Sequence, residues 1–141
     1  MTMNPTRPDS GGATTFLIVD DHADFRHQAR ALLEAEGLRV VGEAADGRSA
    51  LIEVEALRPD VVLLDIGLPD IDGFEVAHRL AAPGGAPGIV LTSSRDAATY
   101  AGRLAGSSAA GFVRKDDLSA EAIAALVPIV RDEDPGRNGD R

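Results

Sequence analysis

Six positions in this chain carry side chains suited to phosphoryl chemistry: Asp20, Asp21, Asp65, Thr92, Ser93 and Lys115. Each directly follows, or lies within two residues of, a short apolar run: Phe16-Leu17-Ile18-Val19, Val61-Val62-Leu63-Leu64, Ile89-Val90-Leu91 and Gly111-Phe112-Val113. Three carboxylates brought together repel one another and require a cation. A set of oxygen donors without His or Cys selects a hard ion, and Mg²⁺ fits best because it uses few carboxylates and keeps waters that a phosphate can replace. A carboxylate, a Mg²⁺, a hydroxyl and an ammonium are the parts of a phosphoryl-transfer site. Asp65 would be the nucleophile, Lys115 and the metal would neutralise the equatorial oxygens, and Thr92 or Ser93 would donate to one of them.

The elements that must position these groups are legible in the apolar pattern. A run without alternation reads as a strand buried on both faces, as in a parallel sheet. Such a strand does not keep an unpaired carboxylate in its middle, so Asp65 belongs at its carboxyl end, the rim where ligands bind in open α/β sheets. A helix after Asp20-Asp21 places Phe25, Ala29, Leu32 and Leu33 on one face and stops at Gly37. Leu38–Val41 reads as a short edge strand. Asp46 or Gly47 opens a helix with Ala50, Leu51, Val54 and Leu57 inward, ending before Pro59. Asp72 caps a helix to about Ala81 with Phe74, Ala77 and Leu80 inward. A weak helix spans about Asp96 to Ala105, where Gly102 costs ~1 kcal/mol against Ala. Ser119 caps a last helix with Ile123, Leu126 and Val127 on one side, and Pro128 kinks it or ends it early. Five strands alternating with five helices predict an α/β, doubly wound, five-stranded parallel sheet of the flavodoxin-like kind, strand order 2-1-3-4-5.

The totals set bounds. The chain has 141 residues, enough for one domain, with 44% apolar and 4% aromatic residues, so the core is built from Ala, Val, Leu and Ile. It has no Cys, which excludes disulfides and thiolate metal sites. No run approaches the roughly 20 apolar residues of a membrane span, and Met1–Thr15 lacks a signal segment, so a cytoplasmic protein is expected. A net charge of −9 without a basic stripe argues against direct nucleic-acid binding. Residues 1–13 and 132–141 are expected to be disordered tails around a domain at 14–131. His22, His27 and His78 show no metal-ligand spacing and read as surface residues.

Taken together, the Asp20-Asp21 pair, the loop Asp65-x-x-x-Pro69-x-x-Asp72-Gly73, the hydroxyl at Thr92 or Ser93, and Lys115 three residues after Phe112 resemble the receiver domain of bacterial two-component response regulators, over about residues 14–130. The resemblance implies that Asp65 accepts phosphate from a sensor histidine kinase. It implies that Asp20, Asp21, Asp65 and the backbone carbonyl of Gly67 organise Mg²⁺. It also implies that Phe112 turns inward behind the hydroxyl at Thr92 or Ser93, repacking the face made by the helix at about 96–105 (helix 4), the strand at 111–113 (strand 5) and the helix after Ser119 (helix 5), where a downstream protein target binds. The few residues after the domain leave no room for an output module, so a stand-alone receiver, monomeric or weakly dimeric, is expected, acting as a signalling domain rather than an enzyme. Three features depart from the family. Gly67 lacks the side chain usual there, which opens the site to water and phosphatases. Lys115 is followed by Asp116 rather than Pro. Thr92 directly follows the apolar run, whereas Ser93 gives the usual spacing of 22 to Lys115, an extra residue in Gly106-Ser107-Ser108 being the simplest reconciliation.

Competing classes fit less well. A phosphatase of the haloacid dehalogenase type needs a second Asp at position 67, and a flavodoxin-like FMN binder would have its phosphate repelled by Asp20-Asp21. A degenerate receiver acting as a phosphorylation-independent interaction module is the remaining alternative.

Overall fold

The computed structural model describes residues 12–81 and 85–132. The five strands are β1 (Thr15–Val19), β2 (Arg39–Ala44), β3 (Val61–Asp65), β4 (Gly88–Ser93) and β5 (Gly111–Arg114). The helices are α1 (Ala23–Ala35), α2 (Gly47–Leu57), α3 (Gly73–Leu80), α4 (Ala101–Ala105) and α5 (Ala120–Ala124). The strands form one parallel sheet in the order β2-β1-β3-β4-β5, as the apolar pattern predicts.

The side-chain alternation of the strands sorts the core into two layers. On one face Phe16, Ile18, Val61, Leu63, Val90 and Val113 pack against α1 and α5. On the other, Leu17, Val19, Val62, Leu64, Ile89 and Leu91 pack against α2 and α3, with Tyr100, Leu104 and Phe112 at the margin. β1 and β3 are buried at every position, which explains their unbroken apolar runs.

Local chemistry sets the helix ends. Asp46, Asp72 and Ser119 each accept from a backbone N–H three residues on. Gly37 adopts φ +84° after α1, where Leu38 N–H donates to Leu33 O and Gly37 N–H to Glu34 O, the paired bonds of a Schellman stop.

Several elements differ from the sequence expectation. β2 runs to Ala44, because pairing with β1 carries it past the apolar run. Leu57, expected inward, is 38% exposed at the frayed end of α2, where Arg58 takes a left-handed conformation. The segment before β5 splits into a 3-10 turn (Ala97–Tyr100) and the five-residue α4, neither with a buried residue, consistent with a helix that Gly102 weakens. α5, by contrast, stops at Ala124, four residues before Pro128, the early end expected of that proline. The outer boundaries carry contacts too. Ala13 is buried, Thr14 and Val130 exchange hydrogen bonds, and Asp132 N–H donates to Gly37 O at 2.6 Å. Of the expected tails at 1–13 and 132–141, residues 1–11 and 133–141 lie outside the described residues, as do residues 83 and 84 of the Pro83–Gly88 connection.

Candidate functional site

Four strand ends converge because neighbouring parallel strands finish at the same rim. Asp20 lies two residues beyond Ile18, Asp65 two beyond Leu63, Thr92 two beyond Val90 and Lys115 two beyond Val113. All four therefore lie on the α1/α5 side of the sheet. The register pairs Asp65 with Thr92 and Thr92 with Val113.

Asp20 is fully buried. Its Oδ1 accepts from His22 N–H at 2.9 Å and meets His22 Nδ1 at 2.8 Å. Its Oδ2 lies 2.6 Å from Lys115 Nζ, an ion pair without hydrogen-bond alignment, so this oxygen accepts no aligned hydrogen bond from the described residues. Arg26, itself held by Glu43, donates to the Asp20 carbonyl at 2.7 Å and fixes the bend after β1. Asp21 is exposed, with Oδ1 3.2 Å from His22 Nδ1.

Asp65 is 4% exposed; its Oδ1 accepts from Gly67 N–H at 3.3 Å and lies 3.7 Å from Lys115 Nζ. Burial pushes the Asp65 carboxyl above its ordinary value of 3.8, and the Asp20 charge adds to this, while Lys115 and the Gly67 N–H oppose it. Lys115 is mostly buried and also stands 4.8 Å over the Phe25 ring. One ammonium thus serves two buried carboxylates.

The β3–α3 loop is held from both sides. Asp70 accepts from the N–H groups of Gly47 and Arg48 at the start of α2 and from Ile71 N–H. Those bonds hold its carboxyl below the usual range although burial pulls the other way. Gly73 N–H donates to Ile66 O, bringing the start of α3 against the end of β3. The roles of Asp70 and Gly73 were not drawn from the sequence; the Asp-x-Asp-Gly run at 70–73 was the available signal.

The two hydroxyl candidates part company. Thr92 is buried beside Asp65 in the ladder. Ser93 points to the opposite face, where its Oγ bonds to Tyr100 OH at 3.0 Å and accepts from Arg95 N–H. Tyr100 lies between Phe74 and Phe112, ring centroids 6.0 and 6.2 Å away. Phe112 is half-buried and borders a groove of about 350 Å³ with Ala97, Arg114, Ala122 and Leu126. Gly106 and Ser107 follow α4 in a turn closed on Leu104 O, the place where the extra residue was expected.

The donor set fits a divalent cation. Asp20, Asp21, His22 and Asp65 each offer one ligand atom, all within 4.8 Å of one another. The three carboxylates outnumber the one ammonium, leaving a charge close to that which a divalent ion neutralises. His22, read from sequence as a bland surface residue, is exposed but turned onto this cluster. His27 and His78 are exposed and lie outside the cluster. Gly67 is exposed, and a Cβ there would meet nothing within 4 Å, so the site is open on that side.

Comparison with known proteins agrees with this geometry. The chain is 38% identical over 114 residues to the transcription regulator BvgA of Bordetella pertussis, covering 81% of this chain and 54% of that protein. It is 38% identical over 98 residues to the transcriptional regulatory protein PdtaR of Mycobacterium tuberculosis, covering 68% and 48%. The chain thus spans about half the length of these relatives. Among solved structures, the signal receiver domain of NarL from Mycobacterium tuberculosis superposes with a TM-score of 0.73 at 34% identity, covering 81% of this chain and 93% of that one. A LuxR-family response regulator from Aurantimonas gives 0.73 at 29% identity, covering 90% and 94%. The family model described as the response regulator receiver domain matches residues 16–127, and the chain belongs to that family.

Proposed function

We propose that the domain is a phospho-accepting receiver in which Asp65 takes a phosphoryl group from the phosphohistidine of a sensor histidine kinase. The observation that carries this reading is the position of Lys115, 2.6 Å from Asp20 and 3.7 Å from Asp65, with Thr92 next to Asp65 in the ladder. In the transfer, an Asp65 oxygen forms the P–O bond as the donor's P–N bond breaks, and the departing imidazole keeps the bonding pair and takes up a proton. Burial raises the proton affinity of Asp65, and the Lys115 ammonium holds it ionised for attack.

Asp20, Asp21, Asp65 and the Gly67 carbonyl would hold Mg²⁺, which when bound neutralises charge on the phosphoryl oxygens. Lys115 can leave Asp20 for a phosphoryl oxygen, and the Thr92 hydroxyl donates to another. Ser93, turned to the other face, takes no part in the transfer. Movement at Thr92 reaches Phe112 through the β4–β5 ladder and reshapes the groove beside α4 and α5, which receives a protein target. The acidic charge of −9 supports protein rather than nucleic-acid partners for this domain. The transcriptional output of the relatives belongs to those proteins. No helix among the described residues is long and apolar enough to cross a membrane, which accords with a cytoplasmic place for the domain between residues 14 and 131.

Intact mass after incubation with phosphoramidate, with and without Mg²⁺, tests the reading. Wild type should gain one phosphoryl group in the presence of Mg²⁺, Asp65→Asn none, and Thr92→Ala should label more slowly than Ser93→Ala. No gain in wild type would leave the fold as a phosphorylation-independent interaction module.

A further inference from the structure

The imidazole of His22 faces the carboxylate cluster instead of capping α1. His22 occupies the N-cap position of α1, yet its side chain makes no capping hydrogen bond. Its Nδ1 hydrogen-bonds to Asp20 Oδ1 at 2.8 Å and lies 3.2 Å from Asp21 Oδ1, so a cation bound there takes the place of the Nδ1 proton, which is released to solvent. The backbone holds it there, because His22 N–H donates to the same Asp20 oxygen. The ring is 65% exposed, so Nδ1 faces the carboxylates while the rest of the ring lies in solvent. The spread of 4.8 Å among the four donor atoms is close to the ~4.2 Å between opposite ligands around a small divalent ion, so a modest contraction completes the set.

We propose that His22 is a metal ligand, giving the pocket a mixed oxygen and nitrogen donor set that favours Mn²⁺ and, increasingly, the later first-row divalent ions over Mg²⁺. This rests on the reading of the acidic pocket as a metal site. Mg²⁺ holds carboxylate, carbonyl and water oxygens and gains little from imidazole, whereas ions from Mn²⁺ to Zn²⁺ bind imidazole increasingly well. A nitrogen donor beside three carboxylates therefore changes which metal is preferred more than whether one binds. Had His22 served only as a counter-charge to Asp20 and Asp21, its removal would strengthen every divalent ion by a similar factor.

The test is direct binding of Mn²⁺ and Mg²⁺ to the whole chain, by electron paramagnetic resonance and calorimetric competition, at one pH and ionic strength. His22→Ala should weaken Mn²⁺ about tenfold and leave Mg²⁺ within about twofold. In the Co²⁺-loaded wild type, hyperfine-shifted imidazole protons should appear, and they should vanish in His22→Ala. Equal changes for both ions, no change for either, or a Co²⁺ spectrum without imidazole signals would overturn the inference while leaving a Mg²⁺ site intact. Failure of wild type to bind any divalent ion would overturn the metal reading itself, and the inference with it.

Discussion

Replacing Gly73 by Ala places the sharpest demand on the geometry of the β3 end. Gly73 is buried as the first residue of α3 and does not adopt a left-handed backbone, so its requirement is space rather than conformational freedom. A Cβ there would stand 2.5 Å from the Asp65 carbonyl oxygen and 2.7 Å from Ile66 Cα. That is about 0.9 Å short of ordinary contact, and both neighbours are backbone that cannot rotate away. Overpacking against rigid backbone sits near the upper end of ~1–3 kcal/mol, and alanine's preference for helix offsets about 1. A net loss of about 2 kcal/mol should lower the melting temperature by roughly 8 °C for a domain of this size. The relief must come from the nucleophile's own backbone, so the rate of labelling by phosphoramidate should fall between about tenfold and a hundredfold. Gly67→Ala is the control: its Cβ meets nothing within 4 Å, and its melting temperature should match wild type. A Gly73→Ala protein that melts within about 1 °C of wild type and labels at the wild-type rate would refute this reasoning.

Two further outcomes follow from the same structure. Burial and the Asp20 charge raise Asp65 above 3.8, so the folded state holds that proton more tightly than the unfolded chain. Stability is therefore lost as pH rises from 3.8 through the folded value; Asn escapes this loss, so in metal-free buffer Asp65→Asn should out-melt wild type at neutral pH by a margin that shrinks toward pH 4. A margin that widens on acidification contradicts the assigned shift. Tyr100→Phe removes the phenolic partner of Ser93 Oγ and leaves its bond from Arg95 N–H, which should cost about 1 kcal/mol and speed amide exchange over residues 97–105 while α1 is unchanged.

What the sequence discloses about this fold follows from burial. β1, β3 and β4 are buried on both faces, and such strands must be written as apolar runs that end in the first tolerable polar residue. Asp20, Asp65 and Thr92 announce themselves for that reason. The sequence choice between Thr92 and Ser93 stayed open because loop length disturbs counting, whereas strand parity, visible only with a register, separates them. The α4 segment is read from sequence as one longer helix because a short helix with one weak apolar face leaves little periodic signal. Asp70 and His22 act through contacts that depend on how loops fold back, and neither carries a spacing that single-chain reading can recognise. Leu57 kept the helical period yet lies at a frayed end, where periodicity no longer implies burial.

The opposite facing of Thr92 and Ser93 has a consequence for how such a domain diversifies. Asp20, Asp65, Lys115 and Thr92 lie on the α1/α5 side, while Ser93, Tyr100 and Phe112 belong to the other layer. In the function proposed, two adjacent residues of one strand are thus the passage between a chamber for chemistry and a chamber for communication. On that reading, substitutions that retune the aromatic layer to a new listener need not disturb the acceptor, and changes in phosphoryl lifetime around Gly67 need not redraw the listening surface. The sheet acts as a partition across which the two can be inherited, and altered, separately.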